Sequence, residues 1–151
     1  MPAGYSGTPL AKKLGIKSGH TIALLGAPKG FVRELDGLPD GVTVRSRAAA
    51  TANVIVSFHA SRADLEGRVA KLLDALDVDG GLWIAWPKKT SKVPTDITED
   101  TVREVFLPLG LVDNKVCAID DVWSGLRVVW RKERRDAERV SRARSAATPP
   151  G

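Results

Sequence analysis

Positively charged and small residues follow three apolar runs of this sequence, at places where parallel sheets commonly bind ligands. The segments are "GAPKG" after residues 22–25, "HASR" after 54–58 and "PKKTSK" after 82–86. Ligands of open parallel sheets lie beyond the carboxyl ends of the strands, so neighbouring loops of this kind would form one positive mouth. Such a mouth would suit a phosphate, a nucleotide or an acidic peptide. The candidate ligand-binding residues are Gly26, Lys29, Gly30, His59, Arg62, Trp86, Lys88, Lys89 and Lys92.

Each candidate also has a structural interpretation. Glycines give a turn its backbone freedom with or without a ligand, and "GAPKG" is neither a GxGxxG motif nor a P-loop. Lysines in a surface loop keep a domain soluble, whether or not they bind anything. Trp86 can pack beneath a helix, or it can stack on a nucleic-acid base beside the lysines.

No residue is assigned a catalytic role. His59 stands at a predicted strand end, and Ser57, Ser61 and Asp64 are near it in sequence, but their spacing matches no known catalytic triad. Cys117 lies in an apolar run, which favours a buried small residue over a nucleophile. With one cysteine and two histidines in the chain, a structural metal site is not expected.

The charge of the chain is concentrated at its C-terminal end. The 151 residues carry a formal net charge of +5. Residues 131–151 contain seven basic and three acidic side chains, so they account for +4 of that charge. No apolar run approaches the roughly 18 residues that a membrane helix needs, and residues 1–13 lack an apolar segment of signal-peptide length. With a single cysteine as well, these features predict a cytoplasmic protein without a membrane span.

The apolar pattern predicts an α/β fold. Short continuous apolar runs, typical of strands buried on both faces, alternate with helical segments. The clearest helix begins after Ser61 and has apolar residues three and four apart through Leu76. The next begins near Asp96, with either Asp96 and Glu99 or Thr98 as its cap. The two last runs are joined by "DD", which is too short for a helical crossover. They must therefore pair antiparallel or diverge, and an antiparallel hairpin is predicted.

The predicted architecture is a Rossmann-like three-layer sandwich, with a mostly parallel sheet and an antiparallel C-terminal hairpin. It forms a single domain over residues 8–131. Residues 1–7 are predicted to be a flexible N-terminus. Residues 132–151 have one large aliphatic side chain, Val140, and are predicted to be a basic tail that is disordered or a frayed helix.

Several segments resemble class I S-adenosylmethionine-dependent methyltransferases. "LGIKSGHTIALLGAPKGF" resembles their first motif, in which a strand ends in a glycine loop, and "DGGLWIAWPKK" and "LGLVDNKVCAIDDVWSGLRVVWR" resemble the C-terminal half of their fold. Residues 4–131 are more closely similar to a family of small bacterial proteins of unknown function. The segments "GYSGTPLAKKLGI", "WPKKTSKVPTDITED" and "KVCAIDDVWSGL" carry this similarity. The resemblance implies a methyltransferase fold shortened by one strand–helix unit, with S-adenosylmethionine as the cofactor of its enzymes.

Three features depart from that pattern. Leu24 and Leu25 stand where these enzymes begin the first motif with an acidic residue, and Pro28 lacks an N–H in the glycine loop. The second strand ends in Val-Arg-Ser-Arg at residues 44–47, whereas the enzymes place there an acid for the ribose hydroxyls. Any charge at this strand end therefore has the opposite sign.

The sequence as a whole predicts a non-catalytic binding or regulatory domain for an anionic small molecule or an acidic partner. One alternative is a methyltransferase that binds S-adenosylmethionine in an unusual way. A second alternative is a nucleic-acid-associated protein that acts through the basic residues from Arg131 to Arg144. Nothing in the sequence indicates the oligomeric state.

Overall fold

The computed structural model describes residues 9–35, 37–48 and 50–147. The segment 1–7, predicted to be flexible, lies outside this part of the chain, as do residues 148–151. Short 3₁₀ turns at Lys89–Ser91 and Leu107–Leu109 precede and follow the fourth helix. In chain order the helices and strands are α1 (Leu10–Lys13), β1 (Thr21–Leu25), α2 (Phe31–Glu34), β2 (Thr43–Arg45), β3 (Ala52–Phe58), α3 (Arg62–Ala75), β4 (Leu76–Pro87), α4 (Glu99–Phe106), β5 (Leu111–Ala118), β6 (Trp123–Trp130) and α5 (Lys132–Ala147).

The strands form one six-stranded sheet in the order β2-β1-β3-β4-β6-β5. β2, β1, β3 and β4 run parallel, and β6 runs antiparallel to both β4 and β5. This confirms the predicted Rossmann-like fold with its antiparallel hairpin. Because β1, β3 and β4 are neighbours, the three basic loops leave the same edge of the sheet.

Two apolar cores cover the two faces of the sheet. Side chains of successive strand residues point to opposite faces, so Ile55 packs in the core beneath α3 and α4 while Val54 packs in the core beneath α1 and α2. Trp83 and Trp86, three residues apart, are divided between the two cores for the same reason. The indole N–H of Trp83 donates to the carbonyl oxygen of Leu14 at 3.1 Å, which ties α1 to the sheet.

Side-chain caps begin the two helices that cover one face. The Ser61 hydroxyl accepts a hydrogen bond from the backbone N–H of Asp64 at 3.1 Å, as predicted for α3. For α4 the structure selects Thr98, which exchanges side-chain-to-backbone hydrogen bonds with Thr101 in a capping box. Asp96 has another role: its carboxylate accepts the backbone N–H of Arg62 at 2.7 Å and joins the loop before α4 to the start of α3.

The boundary between α3 and β4 differs from the sequence prediction. Leu76 continues the helical spacing, but it is the first residue of β4 and pairs with Ala52 of β3. The pairing shifts register between Ala52 and Val54, and a Cβ on Gly80 would lie only 2.5 Å from the carbonyl oxygen of Asn53. Pairing with a distant strand therefore overrides the local helical pattern, and a glycine permits the close approach.

The basic C-terminal segment forms helix α5, and its arginines contact the start of β4. The Arg142 guanidinium donates to the carbonyl oxygens of Leu76 at 2.8 Å and Leu73 at 3.2 Å, and Arg139 forms an ion pair with Asp79. These contacts lie at the amino end of β4, opposite the edge that carries the basic loops. The division into a domain and a tail at residue 131 stays a prediction. Among the described residues, no helix is both long and apolar enough to cross a bilayer.

Candidate functional site

A cleft lies at the carboxyl edge of the sheet, between the loop after β1, helix α2 and the end of β2. It has a volume of about 560 Å³. The loop is shaped by two glycines, Gly26 and Gly30, with φ angles of +68° and +83°. A Cβ on Gly26 would also lie 3.1 Å from the carbonyl oxygen of Phe58, which is a tight contact with the backbone of β3. We call this space the first cleft.

The charges of the first cleft are two arginines. Arg33 enters it from α2 and Arg45 from the last position of β2, with Ser46 beside them. Among the described residues that line the cleft, none carries a carboxylate, and Ser46 supplies the only side-chain hydroxyl. Arg45 therefore occupies the strand end at which the sequence departs from the methyltransferase pattern.

The acidic residues near α2 lie in a separate cluster. Glu34 follows Arg33 along the helix but approaches Asp120 in the turn between β5 and β6. Burial and the negative charge of Asp120 raise the pKa of Glu34. The Asp120 carboxylate also accepts the backbone N–H groups of Val122 at 2.8 Å and Trp123 at 2.7 Å. Consecutive residues of α2 therefore face different surroundings, since Arg33 lines the basic cleft and Glu34 contacts the acidic turn between β5 and β6.

The predicted lysines lie on loops of the same edge. Lys29 is exposed in the loop after β1, while Lys89 and Lys92 are exposed and Lys88 is half-buried after β4. The backbone N–H of Lys88 donates to the carbonyl oxygen of Val122 at 2.7 Å and holds the start of that loop against the hairpin. Lys92 adopts a left-handed φ of 61°, which ends the 3₁₀ turn. Of the predicted residues, Gly26 and Gly30 are the two that line the first cleft.

Arg62 and Trp86 have structural partners. The Arg62 guanidinium donates to Glu66 at 2.7 Å and to Glu104 at 2.6 Å, so α3 and α4 are linked across its charge. Trp86 is 7% exposed and belongs to the core beneath α3 and α4. Packing, one of the two interpretations of Trp86, therefore describes its position.

His59 is buried and lies at the centre of a hydrogen-bonded group with Ser57 and Asp64. Its Nε2 atom is 2.6 Å from the Ser57 hydroxyl and its Nδ1 atom is 2.6 Å from the Asp64 carboxylate. Ser57 and His59 alternate with Phe58 along the chain, so they point away from the first cleft. The spacing of these residues in the sequence matched no known catalytic triad. In the fold, the first turn of α3 brings Asp64 back to the end of β3, where it contacts His59.

The exposure of Ser57 and Asp64 is the reverse of that of the serine and the acid in a serine hydrolase. Ser57 is fully buried, His59 is 2% exposed and the Asp64 side chain is 58% exposed. A hydrolase instead exposes its serine nucleophile and buries its acid. Burial lowers the pKa of His59 below its usual value of 6.5, and the hydrogen bond to Asp64 opposes this shift only in part. The neutral imidazole then donates from Nδ1 to Asp64 and accepts the Ser57 proton at Nε2, joining β3 to α3.

Sequence reasoning missed Arg33, Arg45 and Ser46 as cleft residues. Arg33 lies in a segment read only as one or two turns of helix, with no sign of the direction of its side chain. The opposite charge at the end of the second strand was visible as Val-Arg-Ser-Arg, and Arg45 and Ser46 of that segment do line the cleft. The position of β2 beside β1 could have added them to the site.

No protein-family model and no curated protein matches this sequence. Solved methyltransferases are similar in fold. A SAM-dependent methyltransferase from Aquifex aeolicus has a TM-score of 0.56 at 15% identity, covering 79% of this chain and 86% of that chain. A proposed type 11 methyltransferase from Sulfolobus solfataricus has a TM-score of 0.59 at 15% identity, covering 82% and 90%. Fibrillarin from Aeropyrum pernix, solved with bound S-adenosyl-L-methionine, has a TM-score of 0.53 at 12% identity, covering 80% and 73%.

These structures establish the fold of the chain. It is the predicted Rossmann-like fold, similar to that of S-adenosylmethionine-dependent methyltransferases. At these identities the similarity concerns architecture alone, because one scaffold of this kind supports many functions. The narrower resemblance to a family of small bacterial proteins stays a prediction.

Proposed function

We propose that this protein is a non-catalytic binding domain for an anionic ligand that carries phosphate, and that the ligand lies in the first cleft. The observation behind the proposal is that Arg33 and Arg45 line the same cleft, and that no described residue of its lining carries a carboxylate. Guanidinium groups bind phosphate through two parallel hydrogen bonds. The volume of about 560 Å³ is in the range of small-molecule sites.

The backbone of the cleft supports the same ligand class. Gly26 and Gly30 allow a ligand to approach the main chain closely, since neither has a side chain in the way. Pro28 reduces the number of N–H donors in the loop, which leaves the arginine side chains as the main source of positive charge. The ligand would therefore be recognised chiefly by charge at the end of β2.

The lining of the first cleft supports binding without catalysis. Among its described residues there is no histidine, cysteine, lysine, aspartate or glutamate that could transfer a proton near neutral pH. The chain of Ser57, His59 and Asp64 belongs to the other face of the sheet, where it joins β3 to α3. A regulatory or carrier function is consistent with this arrangement.

Methyl transfer from S-adenosylmethionine is a second candidate function, favoured by the fold. Fibrillarin from Aeropyrum pernix was solved with that molecule bound and has a similar architecture. The charge of the first cleft argues for the anionic ligand instead. S-adenosylmethionine carries a positive sulfonium, which a basic cleft disfavours, and Arg45 lies where an acid for the ribose hydroxyls is expected.

Binding measurements separate the two candidates. We would titrate the protein with ATP, inorganic pyrophosphate, S-adenosylmethionine and S-adenosylhomocysteine by calorimetry, and repeat the series with Arg33→Ser/Arg45→Ser. The proposal expects the phosphate compounds to bind, and the double variant to bind them about tenfold or more weakly. A matched control, Arg131→Ser/Lys132→Ser, removes two exposed charges at the other end of the molecule and should bind as the unchanged protein does. Binding of S-adenosylmethionine without binding of either phosphate compound would replace the proposal by the methyltransferase alternative.

A further inference from the structure

A second basic cleft lies on the other side of the β2 exit, between the loop that follows β2 and helix α3. It has a volume of about 400 Å³. Arg47 enters it from the loop, and Arg68 and Lys71 enter it from α3. Leu25 and Leu72, buried residues of the core beneath α3 and α4, form its floor. The second cleft therefore opens on the face of the sheet opposite the first cleft.

The two clefts meet at Ser46, which lines both of them. Arg45, Ser46 and Arg47 are consecutive, and the arginines on either side of Ser46 enter different clefts. β2 is the end strand of the sheet, and its three residues are exposed. The clefts thus form one surface that continues around an open edge of the molecule.

This surface carries five positive side chains and, among the described residues that line either cleft, no carboxylate. The three acids of α3 have other surroundings, and Asp74 lines a separate cleft together with Arg142. Asp64 binds His59, and Glu66 binds Arg62. The charges that line the two clefts are therefore all positive, which favours an anionic ligand along this surface.

We propose that the two clefts together bind the phosphate backbone of a single-stranded nucleic acid that passes around the end of β2. This inference rests on the proposed function, because it places one part of a longer anionic ligand in the first cleft. The chain of the ligand must bend around a sheet edge to reach both clefts, which a flexible single strand can do and a stiff double helix cannot. The contacts are with phosphates, so the binding is independent of base sequence.

The number of positive side chains, five over two clefts, favours a nucleic-acid chain over a small ligand. Arg33 and Arg45 are enough to pair with the phosphates of one nucleotide in the first cleft. Arg47, Arg68 and Lys71 lie across the strand from them and would contact the next phosphates along a backbone. Helix α5 is a weaker candidate for the same ligand, since Arg139 and Arg142 are bound to Asp79 and to backbone carbonyls.

Fluorescence anisotropy with a labelled oligo-uridine of twelve nucleotides tests the inference. The affinity should fall with rising salt, with a log–log slope of about −0.7 for each phosphate contacted. The variant Arg47→Ser/Arg68→Ser/Lys71→Ser should make this slope shallower by about 2 and weaken binding about tenfold or more. Its calorimetric affinity for pyrophosphate should be unchanged, because the first cleft is intact. The control Arg131→Ser/Lys132→Ser should bind the oligonucleotide as the unchanged protein does.

The outcomes distinguish the two proposals. If pyrophosphate binds but the oligonucleotide does not, or if the triple variant binds the oligonucleotide normally, the inference is wrong and the proposed function stands. Loss of oligonucleotide binding in the Arg131/Lys132 control, instead of the triple variant, would move the site to the tail. If neither compound binds, both proposals fail. Circular dichroism checks the fold of each variant. If the triple variant does not fold, the single variants Arg47→Ser and Lys71→Ser replace it, and each should change the slope by about 0.7.

Discussion

Arg45 and His59, each at the end of a parallel strand, have different roles. Arg45 at the end of β2 provides charge at an open cleft, whereas His59 at the end of β3 is buried and joins two elements. Burial of a polar group is costly unless it is hydrogen-bonded, and His59 has a partner at each ring nitrogen. His59 therefore stabilises the fold, and the stability it provides depends on its protonation state.

The stability of the protein should depend on pH through His59. Its folded-state pKa lies below 6.5, so the unfolded chain binds a proton more readily than the folded chain does. The stability that neutral His59 provides is then complete above pH 6.5 and is lost as the pH falls through the lower pKa of the folded state. Urea denaturation between pH 5 and pH 8 should show a falling free energy of unfolding toward acid.

Histidine variants give the control for this prediction. His59→Gln should flatten the pH dependence between pH 5 and 7, although it lowers stability throughout. His20→Gln should keep the dependence, because His20 belongs to the loop before β1 and is less buried. An unchanged slope in His59→Gln would assign the dependence to other groups.

At the scale of elements, a side chain from one helix completes the end of another. The last carbonyl groups of α3 have no partners within the helix, and Arg142 of α5 donates to two carbonyl oxygens there, those of Leu73 and Leu76. A positive charge at a helix C-terminus also interacts favourably with the helix dipole. The basic segment therefore has a structural function in addition to any function in binding.

Replacing Arg142 should weaken the attachment of α5. Arg142→Met keeps most of the side-chain volume but removes both hydrogen bonds, and we expect a loss of about 1 kcal/mol in the free energy of unfolding. In thermal denaturation this corresponds to a decrease of about 3 °C for a chain of this size. Lys132→Met, at an exposed position of the same helix, should change the melting temperature much less. Equal effects of the two variants would mean that the Arg142 bonds do not stabilise the fold.

At the scale of the whole molecule, the cations are divided among different parts of one sheet edge. Arg33, Arg45 and Arg47 lie around β2, the end strand of the sheet. Lys88, Lys89 and Lys92 lie three strands further along, in the loop after β4. The sequence prediction gave the ligand to the lysine loop together with the loops after β1 and β3. The position of the first cleft favours the β2 side as the centre of binding.

A comparison of two variants locates the binding charge. Lys88→Ser/Lys89→Ser/Lys92→Ser should fold with little change in melting temperature, since surface substitutions usually change stability by less than about 0.5 kcal/mol each. If the first cleft is the site, this variant keeps most of its affinity for pyrophosphate, while Arg33→Ser/Arg45→Ser loses it. The reverse result in calorimetry would return the site to the lysine loop. A large decrease in melting temperature would show that the lysines are part of the packing.

The sequence by itself determined the alternation of strands and helices, the glycine loop after β1, the Ser61 cap and the antiparallel hairpin. These depend on local periodicity and turn residues, which can be read within a short window. The tertiary structure decided the early start of β4, the partners of Arg62 and His59, the docking of α5 and the lining of both clefts. Each of these depends on residues far apart in the chain, such as Arg62 with Glu104 and Arg142 with Leu76. The direction of the Arg33 side chain and its distance from Arg45 exist only once β2 lies beside β1, so no local pattern could have joined them into a site.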